Sequence, residues 1–273
     1  MSALDNTFGW PVDTVAAAWI DRNGARRVVG PIDRAFRLAS VTKPLFAYTV
    51  LVAIEEGSLE LDQPAGPEGA TIRHLLAHAS GLGDDPATPL MGVERRRIYS
   101  NGAYDLLGTL LETATGFTAA DYFDAALGDP LGLRNTRLAG SPAHGAYASV
   151  EDLLIVLDEW RKPTLISAET LTAATTVQFG ELSGVLPGYG RQDPNPWGLG
   201  FELRGTKRPH WMGATNSAAT FGHFGQAGTF IWVDPVAEVS CVALTERPFD
   251  DWARPLWPSL SDAILAEAAE AED

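Results

Sequence analysis

Ser40-Val-Thr-Lys43 places a serine and a lysine one helical turn apart, where a polar stretch gives way to a long apolar one. Residues three apart share a helix face, so the two side chains can meet. If Ser40 stands at the start of that helix, its oxygen lies beside the first free N–H groups and the positive end of the dipole. Both favour a developing alkoxide. A lysine desolvated in an apolar helix has a reason to lose its proton near neutral pH and to accept one from the serine. Lysine is scarce here, with only Lys43, Lys162 and Lys207 in the chain. Read alone, the pattern also fits a serine that merely caps the helix and a lysine that reaches back to the surface.

Two further stretches could belong to the same site. In Tyr99-Ser100-Asn101, Tyr99 could share the serine's proton if Lys43 lowers its pKa, and Asn101 could donate to a substrate amide. The structural alternative is an asparagine N-cap beside an incidental tyrosine. His223-Phe224-Gly225 ends an apolar run that reads as a strand. There Gly225 would let a substrate backbone approach closely, and the Gln226 N–H could point into a site. A lone strand histidine is otherwise structural.

Other patterns argue against rival chemistries. His74 and His78 have the spacing of a helical zinc pair, but Leu75 stands where a zinc protease carries glutamate, so no metal is expected. No Gly-x-Ser-x-Gly elbow is present, which argues against an α/β-hydrolase triad. The basic run Arg95-Arg96-Arg97 reads as a solvated loop. Cys241 is the only cysteine and lies in the apolar run Glu-Val-Ser-Cys-Val-Ala-Leu, so it reads as a buried strand thiol.

The elements that must position these residues follow from periodicity. Two apolar runs flank Asn23-Gly24 and predict a hairpin. Residues 41–56 are apolar nearly all round and stop at Gly57, which predicts a buried helix. Helices are also expected over 71–79, 102–115 and 118–127, with others starting at Ser149 and Ser167, each of these two matching a capping pattern. Strands are expected at 199–203, 220–224, 229–233 and 239–244, then a helix over 259–270 after Pro258. The expected fold is α+β in a single domain. An antiparallel sheet is built from both chain ends (1–39 and 196–273), with a mostly helical subdomain (40–195) inserted.

The formal net charge of −15 disfavours nucleic acid and anionic membranes as partners. No apolar stretch is long enough to span a bilayer, and the N-terminus lacks a signal-peptide pattern, so a cytoplasmic location is expected.

The three motifs, in this order, resemble the serine β-lactamase and penicillin-binding-protein superfamily, in particular its class C β-lactamase, DD-peptidase and esterase branch. The flanks FRLASVTKP, TIRHLLAHASGL, YSNGAYDLLG, DPLGL and GTFIWVDP are similar too, so the likeness covers residues 16–247. The resemblance implies that Ser40 is acylated, that Lys43 and Tyr99 manage its proton, and that Asn101 and the strand 223–226 hold the substrate. It also implies an oxyanion hole made by the backbone N–H groups of Ser40 and Gln226, and no cofactor. His223 stands where many β-lactamases and DD-peptidases of that superfamily carry lysine, whereas histidine is common in its esterase-like members. The resulting expectation is a serine hydrolase acting on small esters or amides, with weak β-lactamase, D-aminopeptidase or DD-carboxypeptidase activity alongside. The alternative is a non-catalytic acyl- or peptide-binding sensor of the same fold.

Overall fold

Asn23-Gly24 turns the chain between β1 (Val15–Ile20) and β2 (Arg26–Val29), and Asp21 fixes the turn by accepting the N–H groups of Asn23 and Ala25, each at 2.8 Å. The structure is a computed structural model that describes residues 2–270. Four C-terminal strands complete the main sheet: β3 (Glu202–Leu203), β4 (Phe221–Gly225), β5 (Thr229–Asp234) and β6 (Val239–Thr245). The order is β2-β1-β6-β5-β4-β3 and every pairing is antiparallel. β1 pairs with β6 from Val15–Thr245 to Ile20–Ser240, which ties the two ends of the chain together.

All of β6 is buried, because both faces of the sheet are covered. Val242 and Leu244 face one core, while Val239, Cys241 and Ala243 face the other, as the two-residue period of a strand requires. The first core packs under α1 (Thr42–Glu55), α2 (Asn101–Thr115) and α3 (Val150–Arg161). The second is rich in tryptophan and packs under α4 (Ala253–Glu270) and the N-terminal turn. The architecture is therefore α+β, with an antiparallel sheet from both ends and a mainly helical segment between them.

Helix ends follow their capping residues. Residues 42–53 of α1 are all buried, in keeping with its uniformly apolar sequence. α2 is capped by Ser100, whose Oγ accepts the Ala103 N–H at 2.8 Å, and it stops at Gly116, where φ is 76°. Ser149 caps α3 in the same way. Short helices occupy Ile72–Leu76, Ala119–Phe123 and Ala168–Ala174.

Two expectations need correction. α4 starts at Ala253, not after Pro258, because Ala253 and Trp257 are fully buried and this packing outweighs the bond that proline forgoes. The first predicted C-terminal strand shortens to Glu202–Leu203. The inserted segment is mainly helical, as expected, and also carries short strands. It adds Arg137–Leu138 and Ala146–Ala148 to a small sheet with Phe36–Arg37, and a hairpin, Gly184–Leu186 with Gly190–Gln192.

Candidate active site

Ser40 lies on a 3-10 turn, Ala39–Val41, that leads into α1; the N-cap position belongs to Val41. The turn is sharp, with Ala39 at φ 47°, a conformation that residues with a side chain seldom adopt. Lys43, in the first turn of α1, has no exposure to solvent. Its Nζ lies 3.3 Å from Ser40 Oγ, 2.7 Å from Asn101 Oδ1 and 2.9 Å from the Ala143 carbonyl. Burial drives its pKa down to about 7, against the opposing pull of Asp105 and Asp84. A neutral amine has two hydrogens and one lone pair. The two carbonyl-type oxygens can only accept, so they take the hydrogens and leave the lone pair for the Ser40 hydroxyl.

Asn101 is the first residue of α2, not its cap; Ser100 does the capping and leaves the Asn101 side chain free to reach Lys43. The amide orientation follows from its partners, since Asn101 Nδ2 donates to Asp84 Oδ1 at 2.9 Å. Tyr99 is hydrogen-bonded to Ser40 through its side chain, and its ring centroid lies 4.6 Å from Lys43 Nζ. The expectation that Lys43 lowers the Tyr99 pKa is corrected. Burial raises the phenol well above its usual value, and Glu202 and Asp84 add to the rise against the Ser40 bond, so Tyr99 is a proton donor at rest. The Arg95–Arg97 run is not all solvated either. Arg97 is buried and donates to the carbonyls of Ala77, Gln178, Phe179 and Asn195, which pins the backbone just before Tyr99.

His223 is buried on β4, with Nδ1 2.6 Å from the Phe224 carbonyl. A carbonyl can only accept, so Nδ1 carries the hydrogen and Nε2 presents a lone pair with no partner among the described residues. Burial, reinforced by Lys43, pushes the ring pKa down to about 3, so the ring is neutral. Gly225 has a different neighbour from the one expected. A Cβ there would meet the Leu38 carbonyl at 2.2 Å and Ser40 N at 3.1 Å, so glycine lets β4 press against the chain's own serine turn, not against a substrate. The N–H groups of Ser40 and Gln226 donate to no oxygen among the described residues.

Ser40, Tyr99, Asn101, His223 and Gln226 line one cleft of about 200 Å³, completed by Leu186, Pro187, Trp197, Glu202 and Phe224. A larger open groove of about 720 Å³, between Trp160, Leu171 and Pro235, touches none of the three motifs. Glu202 escaped the sequence reading. It is fully buried, with Lys207 at 2.6 Å, His210 at 2.8 Å and the Trp211 indole at 2.9 Å. The scarcity of lysine was its one visible signal, since two of the three lysines prove to be buried. His74 and His78 are employed separately: His74 bonds Thr71 and Glu94, whereas His78 accepts the Ser100 N–H and packs on Tyr99, Tyr104 and Trp197.

The arrangement can take a proton from Ser40, return one through Tyr99, and receive an oxyanion between two free N–H groups. Known proteins share its frame. Esterase EstB of Burkholderia gladioli is 27% identical over 86% of this chain and 83% of its own. A putative D-alanyl-D-alanine carboxypeptidase of Salmonella gallinarum is 26% identical over 71% of this chain, which spans 61% of that protein. Among solved structures, a beta-lactamase from Mycobacterium bovis is 50% identical, superposes with a TM-score of 0.96, and is covered to 99% by 98% of this chain. Residues 12–263 match the family described as Beta-lactamase, nearly the whole of the ordered fold around Ser40 and Lys43, and the chain belongs to that family.

Proposed function

We propose that the protein is a serine hydrolase that works through an acyl-enzyme on Ser40 and acts as an esterase or amidase on small substrates that carry no carboxylate at the His223 end. The observation that carries this reading is the environment of Lys43: a buried amine with a pKa of about 7, 3.3 Å from Ser40 Oγ, with acceptors for both of its hydrogens. In acylation Lys43 takes the Ser40 proton as Oγ bonds to the substrate carbonyl carbon. The leaving group departs with a proton from Tyr99, which Lys43 then restores. Water reverses the sequence to free the acid. The N–H groups of Ser40 and Gln226 bind the oxyanion, and no cofactor or metal takes part.

The neutral, buried His223 supports the substrate preference. It offers a lone pair where a lysine would offer a charge, so it gives no charge-assisted bond to a carboxylate. A second reading, β-lactam hydrolysis, is favoured by the 50% identity to the beta-lactamase from M. bovis.

The test is a comparison of kcat/KM for p-nitrophenyl butyrate and nitrocefin at about pH 7.5, where an ordinary histidine is already neutral. The ester is expected to be the better substrate, and His223→Lys to narrow the gap. A preference for nitrocefin would restore the β-lactamase reading, and a stoichiometric adduct without turnover would favour a binding sensor. Ser40→Ala is expected to abolish turnover of both while keeping the fold, and a fluorophosphonate to label Ser40. Label on Ser80 or Ser100 would refute the assignment.

A further inference from the structure

Arg95, Arg96 and Arg97 follow a tight turn at Glu94 and grade from exposed through half-buried to buried. Arg97 points inward and is saturated by carbonyls, its own N–H donates to the Ser183 carbonyl at 2.8 Å, and it bridges to Gly184. Arg96 is thereby held next to a fixed residue, and two positions earlier the Glu94 N–H donates to the Ala79 carbonyl at 2.9 Å. Its side chain is only partly exposed, its Nε is buried without a partner, and it makes no ion pair or hydrogen bond with any described residue. Arg96 lines a cleft of about 470 Å³ together with Asp84, Ile98 and Val185, and that cleft shares Tyr99, Asn101 and Pro187 with the Ser40 cleft. The one carboxylate on its wall, Asp84, already accepts from Asn101.

With no counter-ion among the described residues, the half-buried guanidinium on the wall of this cleft would gain a charge-assisted bond from a ligand carboxylate at its terminal nitrogens. We infer that Arg96 is a specificity-determining residue that binds a carboxylate on the substrate arm lying over Tyr99 and Asn101. This rests on the hydrolase reading of Ser40. The two ends of the site then differ: the His223 end disfavours anions, and the Arg96 end selects a half-ester of a short dicarboxylic acid or an ester with an acidic leaving group.

Two ester pairs read the two arms: p-nitrophenyl valerate against mono-p-nitrophenyl glutarate, and phenyl butyrate against 4-carboxyphenyl butyrate. In Arg96→Gln, kcat/KM for the anionic member of one pair is expected to fall about 10- to 100-fold, the worth of a charge-assisted bond, with the neutral member unchanged. Arg96→Lys should recover part of the loss. Independently of turnover, monomethyl glutarate should bind Ser40→Ala protein at least 10-fold more tightly with Arg96 present than with Arg96→Gln, read by calorimetry. If no ester is turned over yet this binding depends on Arg96, the hydrolase reading fails and the Arg96 site stands. If neither the ester pairs nor the binding depends on Arg96, the inference is overturned.

Discussion

Taking Lys43 from water into the first turn of α1 disfavours its ammonium form, and the pKa of about 7 makes the lone pair available at neutral pH. The log of kcat/KM for a neutral ester is therefore expected to rise with unit slope up to about pH 7 and then level off. Lys43→Ala should cost about 10²–10⁴ in kcat, and so should Tyr99→Phe. In the proposed mechanism the two act as one relay, so the double change should cost far less than the product. Strictly multiplicative losses would separate them. The same burial has a stability sign. An unfolded lysine titrates near about 10.4, so between the folded and unfolded pKa values the unfolded chain binds more protons and this group makes stability rise with pH. Lys43→Met should therefore raise Tm more at about pH 6 than at about pH 9. The spacing of Ser40 and Lys43 was readable in the sequence because it is local. The partners that orient Lys43 were not, since Asn101 and the Ala143 carbonyl come from 58 and 100 residues away.

At the scale of elements, the end of β4 and the turn before α1 hold each other. Gly225→Ala puts a methyl carbon 2.2 Å from the Leu38 carbonyl, so the strand must retreat and take the Gln226 N–H with it. The expected outcome is a loss of about 1–3 kcal/mol in stability and about 10²-fold in kcat, read by thermal unfolding and steady-state kinetics. Unchanged Tm and kcat would show that the two segments move independently. The long helices and the strands β4, β5 and β6 were legible because each repeats its period over several turns or residues. The true bounds of Glu202–Leu203, within the expected 199–203, and the 184–192 hairpin were not, since strands of two or three residues carry no period. Ser100 and Asn101 are both good caps, and only the approach of Lys43 decides which one serves the helix and which the site.

Across the whole molecule, a few charged groups lie buried in a chain whose formal net charge is −15. Lys207 and His210 hold the Glu202 carboxyl far below its usual pKa despite complete burial. Its contribution to stability is present above about pH 4.3, the value for an unfolded glutamate, and is lost as pH falls through the folded pKa. Glu202→Gln leaves Lys207 buried without its counter-charge and is expected to cost about 3–5 kcal/mol, measured by denaturant unfolding. A smaller loss would mean that Lys207 is neutral in the fold, as the lowering of its pKa by burial permits. The sheet that carries these groups also holds Cys241, the only thiol in the chain, at zero exposure on β6 between β1 and β5. Burial raises its pKa, so at rest it is protonated as well as hidden. A thiol reagent can reach it only when the centre of the sheet comes apart. The protein thus carries its own clock for global opening, one that a ligand seated over Ser40 would slow in proportion to its occupancy, with no turnover needed to read it.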